Sequence, residues 1–116
     1  MRKALLLPLL LVSSAALASG TGHFLNASNA TVFSGAPTNS KQAAYEMGYE
    51  AMSDLNSQSS WELSSSMPTG LERVDPHSFE ILNSRVTVSE YLTDNGQLVY
   101  QPMVHVSYMY RVYDQD

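Results

Sequence analysis

The sequence predicts an α+β domain, a small antiparallel β-sheet with one main helix packed on one face in the order β-α-β-β. Three observations lead to this prediction. Apolar residues recur at helical spacing between Ala44 and Leu55. The last part of the chain alternates apolar and polar residues over two long segments. Asp94-Asn95-Gly96 connects these segments and is typical of a hairpin loop.

The chain begins with a pattern typical of a secretory signal peptide. A basic pair, an apolar run and the small residues of Ala16-Leu17-Ala18 follow one another. We therefore expect a signal peptide over residues 1–18, and over residues 19–116 a single small α+β domain with a flexible N-terminal tether. The apolar run is shorter than the roughly 20 residues that span a bilayer, so no stable membrane anchor is expected.

This signal places the mature protein outside the cytoplasm, with the bacterial periplasm as the expected location and secretion as the alternative. The chain has no cysteine, which excludes a lipoprotein anchor, thiol catalysis and thiolate metal sites. After the signal peptide, the chain has eleven acidic residues and only four basic ones. The basic residues are Lys41, Arg73, Arg85 and Arg111. This balance argues against a nucleic-acid partner, which needs a basic face.

Residues 19–30 are expected to form the tether, which runs into the first strand, and the main helix follows. Thr31-Val32-Phe33 is the part of the first strand with high β-propensity, and the turn residues from Ser34 to Pro37 are expected to end it. Thr38, Asn39 and Ser40 can each cap this helix, and Asn39 has Gln42 three residues later, as in a capping box. The predicted buried face consists of Ala44, Met47, Gly48, Ala51 and Leu55, widened by Tyr45, Tyr49 and Met52.

Gly48 lies in the middle of this face, where it costs about 1 kcal/mol of helix propensity relative to alanine. Its small neighbours favour a close approach between helix and sheet, and a merely tolerated glycine is the alternative. Further along the chain, Ser60 is expected to cap a short second helix. Trp61 and Leu63 are expected to anchor that helix in the core.

Two registers are compatible with the hairpin formed by residues 79–92 and 98–113, whose first strand is expected to bulge near Asn83-Ser84. A two-residue loop pairs Thr87 with Val104, whereas a three-residue loop pairs Val86 with Val104. Burial favours the second register, with Gly96 at positive φ, because a slip by one residue would turn the apolar face to water. That face then contains Val86, Val88, Leu92, Leu98, Val104 and Val106, continued by Tyr100, Tyr108, Tyr110 and Val112.

The opposite face of the hairpin is the candidate partner surface. Met and Tyr, which are common in interfaces, recur on it. It is expected to bind a partner protein, a second copy of the chain or an apolar small molecule, and a second layer of intramolecular packing is the alternative. Its residues are Tyr91, Val99, Met103, His105, Met109 and Tyr113.

No catalytic residue, cofactor site or metal site is predicted. The sequence has no nucleophile elbow, phosphate loop or dinucleotide fingerprint. His77 and His105 leave open a small periplasmic hydrolase with a histidine–carboxylate site as the alternative function. Signal cleavage after Gly20 would expose Thr21-Gly22-His23, whose nitrogens suit Cu(II) or Ni(II), but an incidental histidine in the tether is the preferred interpretation.

The segments from Lys41 to Glu50 and from Val104 to Arg111 resemble a family of short exported proteins from Gram-negative gammaproteobacteria. The shared pattern is a signal peptide, an Ala-Tyr-x-x-Gly helix, a Leu-Pro-like loop (here Met67-Pro68) and a closing hairpin rich in Val and Tyr. It covers most of the mature chain. The family is a domain of unknown function, so the resemblance implies a fold and a periplasmic location but no activity and no catalytic residue.

Overall fold

A computed structural model describes residues 24–114, and the fold is the predicted α+β class. The elements are β1 (Phe24–Ser34), α1 (Lys41–Asn56), α2 (Ser60–Ser66), β2 (Glu80–Leu92) and β3 (Leu98–Tyr113). The three strands form one antiparallel sheet in the order β1-β3-β2, so the last strand lies in the centre. The expected signal peptide, its cleavage site and the Thr21-Gly22-His23 motif lie outside the described residues.

β1 begins at Phe24, so the strand includes residues that the sequence assigned to the tether. Along its whole length it pairs with β3, from Phe24 opposite Tyr113 to Ser34 opposite Met103. The early part of the strand is rich in Asn, Ala and Ser, which have low β-propensity. Pairing with a long neighbouring strand overrides that local preference.

The hairpin adopts the register of the three-residue loop. Leu92 lies opposite Leu98, and Val86 lies opposite Val104, as the burial argument predicts. Gly96 has a φ of 83°, which confirms its place at the left-handed position of the loop. The register therefore follows from burial and turn geometry together.

The predicted bulge in β2 is also present. Its register relative to β3 shifts between Ile81 and Asn83, next to the predicted position at Asn83-Ser84. The extra residue is Leu82, which is exposed. The bulge brings the two halves of β2 into phase, so that Ile81 and Val86 both face the core.

Alternation along the strands gives the sheet an inner face, on which the helices pack, and an outer face. Tyr108 is fully buried at the centre of the inner face, and its hydroxyl donates a hydrogen bond to the carbonyl oxygen of Pro68. Burial raises the pKa of Tyr108. The core cluster comprises Leu55, Leu63, Met67, Phe79, Val104, Val106, Tyr108, Tyr110 and Val112.

The cap of α1 is one of the three candidates, and the cap of α2 differs from the predicted one by one residue. Ser40 caps α1, because Ser40 is extended and its hydroxyl accepts from the backbone N–H of Ala43. Ser59, not Ser60, caps α2 in a capping box with Glu62. In both places several adjacent polar residues could cap, so the sequence alone does not select among them.

The buried face of α1 is narrower than predicted. Ala44, Gly48 and Leu55 are buried and Met52 is half-buried, but Tyr45, Met47, Tyr49 and Ala51 are exposed. The sheet has only three strands, so it covers a narrow stripe of the helix. At Gly48 an added Cβ would overlap Cγ1 of Val86, which confirms the close-packing interpretation of Gly48.

Trp61 is not a core anchor, although Leu63 is. The Trp61 side chain is 60% exposed and stacks on the ring of His77 at a centroid distance of 5.3 Å. Leu63 is buried in the core cluster. The second helix has only 7 residues, and its single buried side chain faces the sheet while its neighbours face outwards.

Gly48→Ala is expected to lower the free energy of unfolding by about 1 kcal/mol, because the cost of overpacking exceeds the gain in helix propensity. Chemical denaturation measures this free energy of unfolding. Val86→Ala removes the overlapping methyl group, so the double variant should lose less stability than the two single changes added together. Ser53→Ala, on the exposed side of α1, is the control. A stabilised Gly48→Ala protein would contradict close packing.

Gly96→Ala is expected to destabilise the domain by about 1 kcal/mol, because an L residue is strained at positive φ. An added Cβ would meet no atom within 4 Å, so the change tests backbone conformation without a steric clash. Gly70→Ala is the control, because φ is not positive there and the added Cβ displaces only the flexible carboxylate of Glu72. Equal melting temperatures for the two variants would show that the loop tolerates a side chain.

Candidate functional site

The outer face of the sheet is the candidate functional surface. The register places all six predicted surface residues on it, across the two strands of the hairpin. β1 adds Phe24 opposite Tyr113 and Val32 opposite His105. The described helices pack on the inner face, so the intramolecular layer considered for this surface is absent from residues 24–114.

The six predicted residues differ in how much side-chain surface they expose to a partner. Val99 is only 8% exposed, although it lies on the outer face opposite Tyr91. Tyr91 is exposed, and the four others are half-buried between their neighbouring strands. Val99 therefore supports the surface, whereas the others provide contact area.

The outer face has fewer acidic side chains than the chain as a whole. Among the side chains that the three described strands place on it, Glu80 is the only acidic one, whereas Arg85 and Arg111 both lie there. Interfaces are enriched in Met, Tyr and Arg and depleted in Glu and Asp. The exposed side of α1 has the reverse composition, with Glu46, Glu50 and Asp54.

Contacts between arginine side chains and aromatic rings stabilise one end of the outer face. Arg111 forms an ion pair with Asp75 at 2.6 Å, and its guanidinium carbon lies 4.9 Å from the centroid of the Phe24 ring. Arg73 lies 4.9 Å from the centroid of the Tyr113 ring. The Phe24 and Tyr113 rings are themselves 4.8 Å apart. These contacts join the start of β1 to the end of β3.

Asp75 fixes the loop before β2 at this end. Its carboxylate accepts a hydrogen bond from the backbone N–H of His77 at 3.0 Å, and its backbone N–H donates to the carbonyl oxygen of Arg111. The hydrogen bond from His77 is the main cause that lowers the pKa of Asp75, followed by the side chain of Arg111, while partial desolvation opposes both. The ionised carboxylate therefore stabilises the fold.

The side chains of the two described histidines contact a hydroxyl group and an indole ring, while the backbone N–H of His77 donates to the Asp75 carboxylate. His105 shares a hydrogen bond of 2.7 Å between Nε2 and the hydroxyl of Thr87. The ring of His77 stacks on Trp61. No cluster of three or more His, Asp or Glu residues that could hold a metal ion occurs between residues 24 and 114, and the hydrolase alternative stays a prediction that no contact here favours.

Sequence reasoning missed four contributors to this surface: Phe24, Val32, Arg85 and Arg111. Two of them lie on β1, whose early part carries no strand signal. Arg85 could have been found, because the predicted hairpin register already places it opposite His105. Arg111 follows from alternation along β3, but its ion pair depends on a loop that the sequence does not position.

The comparisons with known proteins identify a family. The family model described as "Domain of unknown function (DUF8398)" matches residues 1–115. Neither the search of curated proteins nor the search of solved structures finds a match. Within residues 24–114, no helix has the length and apolar character needed to cross a membrane.

Asp75→Asn is expected to lower the melting temperature near neutral pH, with a difference from the unchanged protein that shrinks in acid. A carboxyl whose pKa falls below 3.8 on folding stabilises fully above that value, and this contribution is lost as the pH falls through the lower folded-state pKa. Melting curves between about pH 7 and pH 2 measure this difference. Glu50→Gln controls for the loss of one carboxylate, and a difference that is constant with pH would contradict the role of the ionised group.

Proposed function

This chain belongs to the DUF8398 family, and we propose that it is a periplasmic, non-enzymatic protein that binds a partner protein through the outer face of its sheet. The observation that supports binding is the composition of that face, which combines Met, Tyr and Arg with a single carboxylate on the three strands of an acidic chain. The periplasmic location is supported by the signal-peptide pattern of residues 1–18.

Met103 is the best candidate for the central contact. It lies on the middle strand between Ser34 on one side and Thr87 on the other. Both neighbours have short side chains, so the flexible thioether of Met103 can extend beyond them away from the sheet. Methionine adapts to partner surfaces of different shape, which suits a contact residue at a protein interface.

A partner protein fits this face better than an apolar small molecule. Small apolar ligands are bound in concave, mostly apolar pockets that bury most of their surface. The half-buried apolar residues here extend along most of β3, from Met103 to Tyr113, and alternate with polar groups. Such a surface offers contact area over a long distance, as a protein interface requires.

Met103→Glu is expected to weaken partner binding at least tenfold, because an unpaired charge would be buried at the centre of the interface. The tagged protein captures partners from an envelope extract, and titration with the purified partner gives the affinity. Met47→Glu, an equivalent change on exposed α1, is the control and should bind normally.

Two results would contradict the proposal. One is a strictly monomeric protein that captures no partner and shows no ligand in native mass spectra. The other is an equal loss of binding in the Met103 and Met47 variants, since Met47 lies on the opposite side of the sheet from Met103. Self-association that Met103→Glu abolishes would identify a second copy of the chain as the partner.

A further inference from the structure

A depression of about 280 Å³ lies in the middle of the outer face. It exists because two neighbouring rows of side chains differ in size. Within each row, residues lie directly opposite one another across the three strands, and the rows are about 7 Å apart. The floor row is Ala30, Ser107 and Asn83, and the wall row is Val32, His105 and Arg85.

The polar groups around this depression are free to bind a ligand. Arg85 is exposed and forms no ion pair with another residue of the described range 24–114. The side chains of Asn83 and Ser107 have no hydrogen-bond partner in the same range. Three groups that can donate hydrogen bonds therefore line one side of the depression without an internal acceptor.

His105 adds a fourth polar group with a fixed orientation. Its Nε2 is held by the Thr87 hydroxyl at 2.7 Å, and among residues 24–114 its Nδ1 has no hydrogen-bond partner. The opposite side of the depression is apolar, since it is formed by Ala30 and by Val32, which is 45% exposed. The depression thus has a cationic, hydrogen-bonding side and an apolar side.

We propose that this depression binds a carboxylate that is attached to a short apolar group, an inference that rests on the proposed role of the outer face as the binding surface. The planar guanidinium of Arg85 matches a carboxylate, with which arginine forms paired hydrogen bonds. A single cation balances the single charge of a carboxylate, whereas a phosphate dianion would need further positive charge. The apolar group would contact Val32 and Ala30.

Binding can be measured on the isotope-labelled protein by following its amide resonances. The probes are hexanoate, a short alanine peptide with a free C-terminus and the same peptide with an amidated C-terminus. We expect saturable shifts at Ala30, Arg85 and Ser107 with the first two probes only. Tighter binding of the free peptide would identify the end of a protein chain as the source of the carboxylate, and tighter binding of hexanoate a small organic acid.

Two variants test the site itself. Arg85→Gln should weaken carboxylate binding about tenfold or more, because a charge-assisted hydrogen bond is lost. Ala30→Leu keeps Arg85 but fills the floor of the depression, so it should weaken hexanoate binding as well. Lys41→Gln removes the same charge at the start of α1 and should leave binding unchanged.

The inference is overturned if no carboxylate produces saturable shifts, if the amidated peptide binds as well as the free one, or if Arg85→Gln and Lys41→Gln behave alike. Its failure is distinguishable from that of the proposed function. Partner capture that depends on Met103 without carboxylate binding would overturn the carboxylate site alone. Carboxylate binding by a chain that captures no protein would support this site and overturn the protein-binding proposal.

Discussion

The loop between β2 and β3 determines which side of every strand is buried. With three residues in the loop and Gly96 at φ 83°, Val86 lies opposite Val104, and the even-numbered residues of β3 face the helices. A slip by one residue would expose Tyr108, now fully buried, and would turn the odd-numbered residues of β3, including Met103, towards the helices. Full burial of a large side chain contributes about 1.5–3 kcal/mol, so the alternative register would lose several such contributions at once.

A proline in the central strand decides where β1 ends. Pro102 has no N–H to donate, so the carbonyl oxygen of Gly35 lacks its normal strand partner and accepts instead from the side chain of Gln101 at 3.0 Å. Gly35 still donates to Pro102 at 2.9 Å, and a Cβ on it would lie 2.9 Å from the proline ring. The chain leaves the sheet here, meets β3 once more where Thr38 pairs with Tyr100, and enters α1.

The features that could be predicted from the sequence depend on the alternation of apolar and polar residues and on the backbone freedom of glycine. Gly96 and the alternation of β3 were sufficient to choose the hairpin register, and that register correctly placed all six outer-face residues. Prediction failed where several local choices are nearly equal or where distant pairing decides. Neighbouring hydroxyl and amide residues compete to cap each helix. The early part of β1 pairs along its length with β3, and Trp61 stacks on His77, which is distant in sequence, without entering the core.

The binding chemistry of the outer face depends on the same register as the core. The row of Ala30 and Ser107 has smaller side chains than the rows on either side, so it forms a floor between the row of His105 and the row of Met109. A shift of β1 by two residues would keep every side chain on its own face, and Phe33 would still point to the core. It would nevertheless move Val32 or Ser28 opposite Ser107 and change the shape and polarity of the depression. Core burial alone therefore does not select the shape of the depression, and the contacts that fix β1, at Gly35 and at the Phe24–Tyr113 pair, also fix the candidate site.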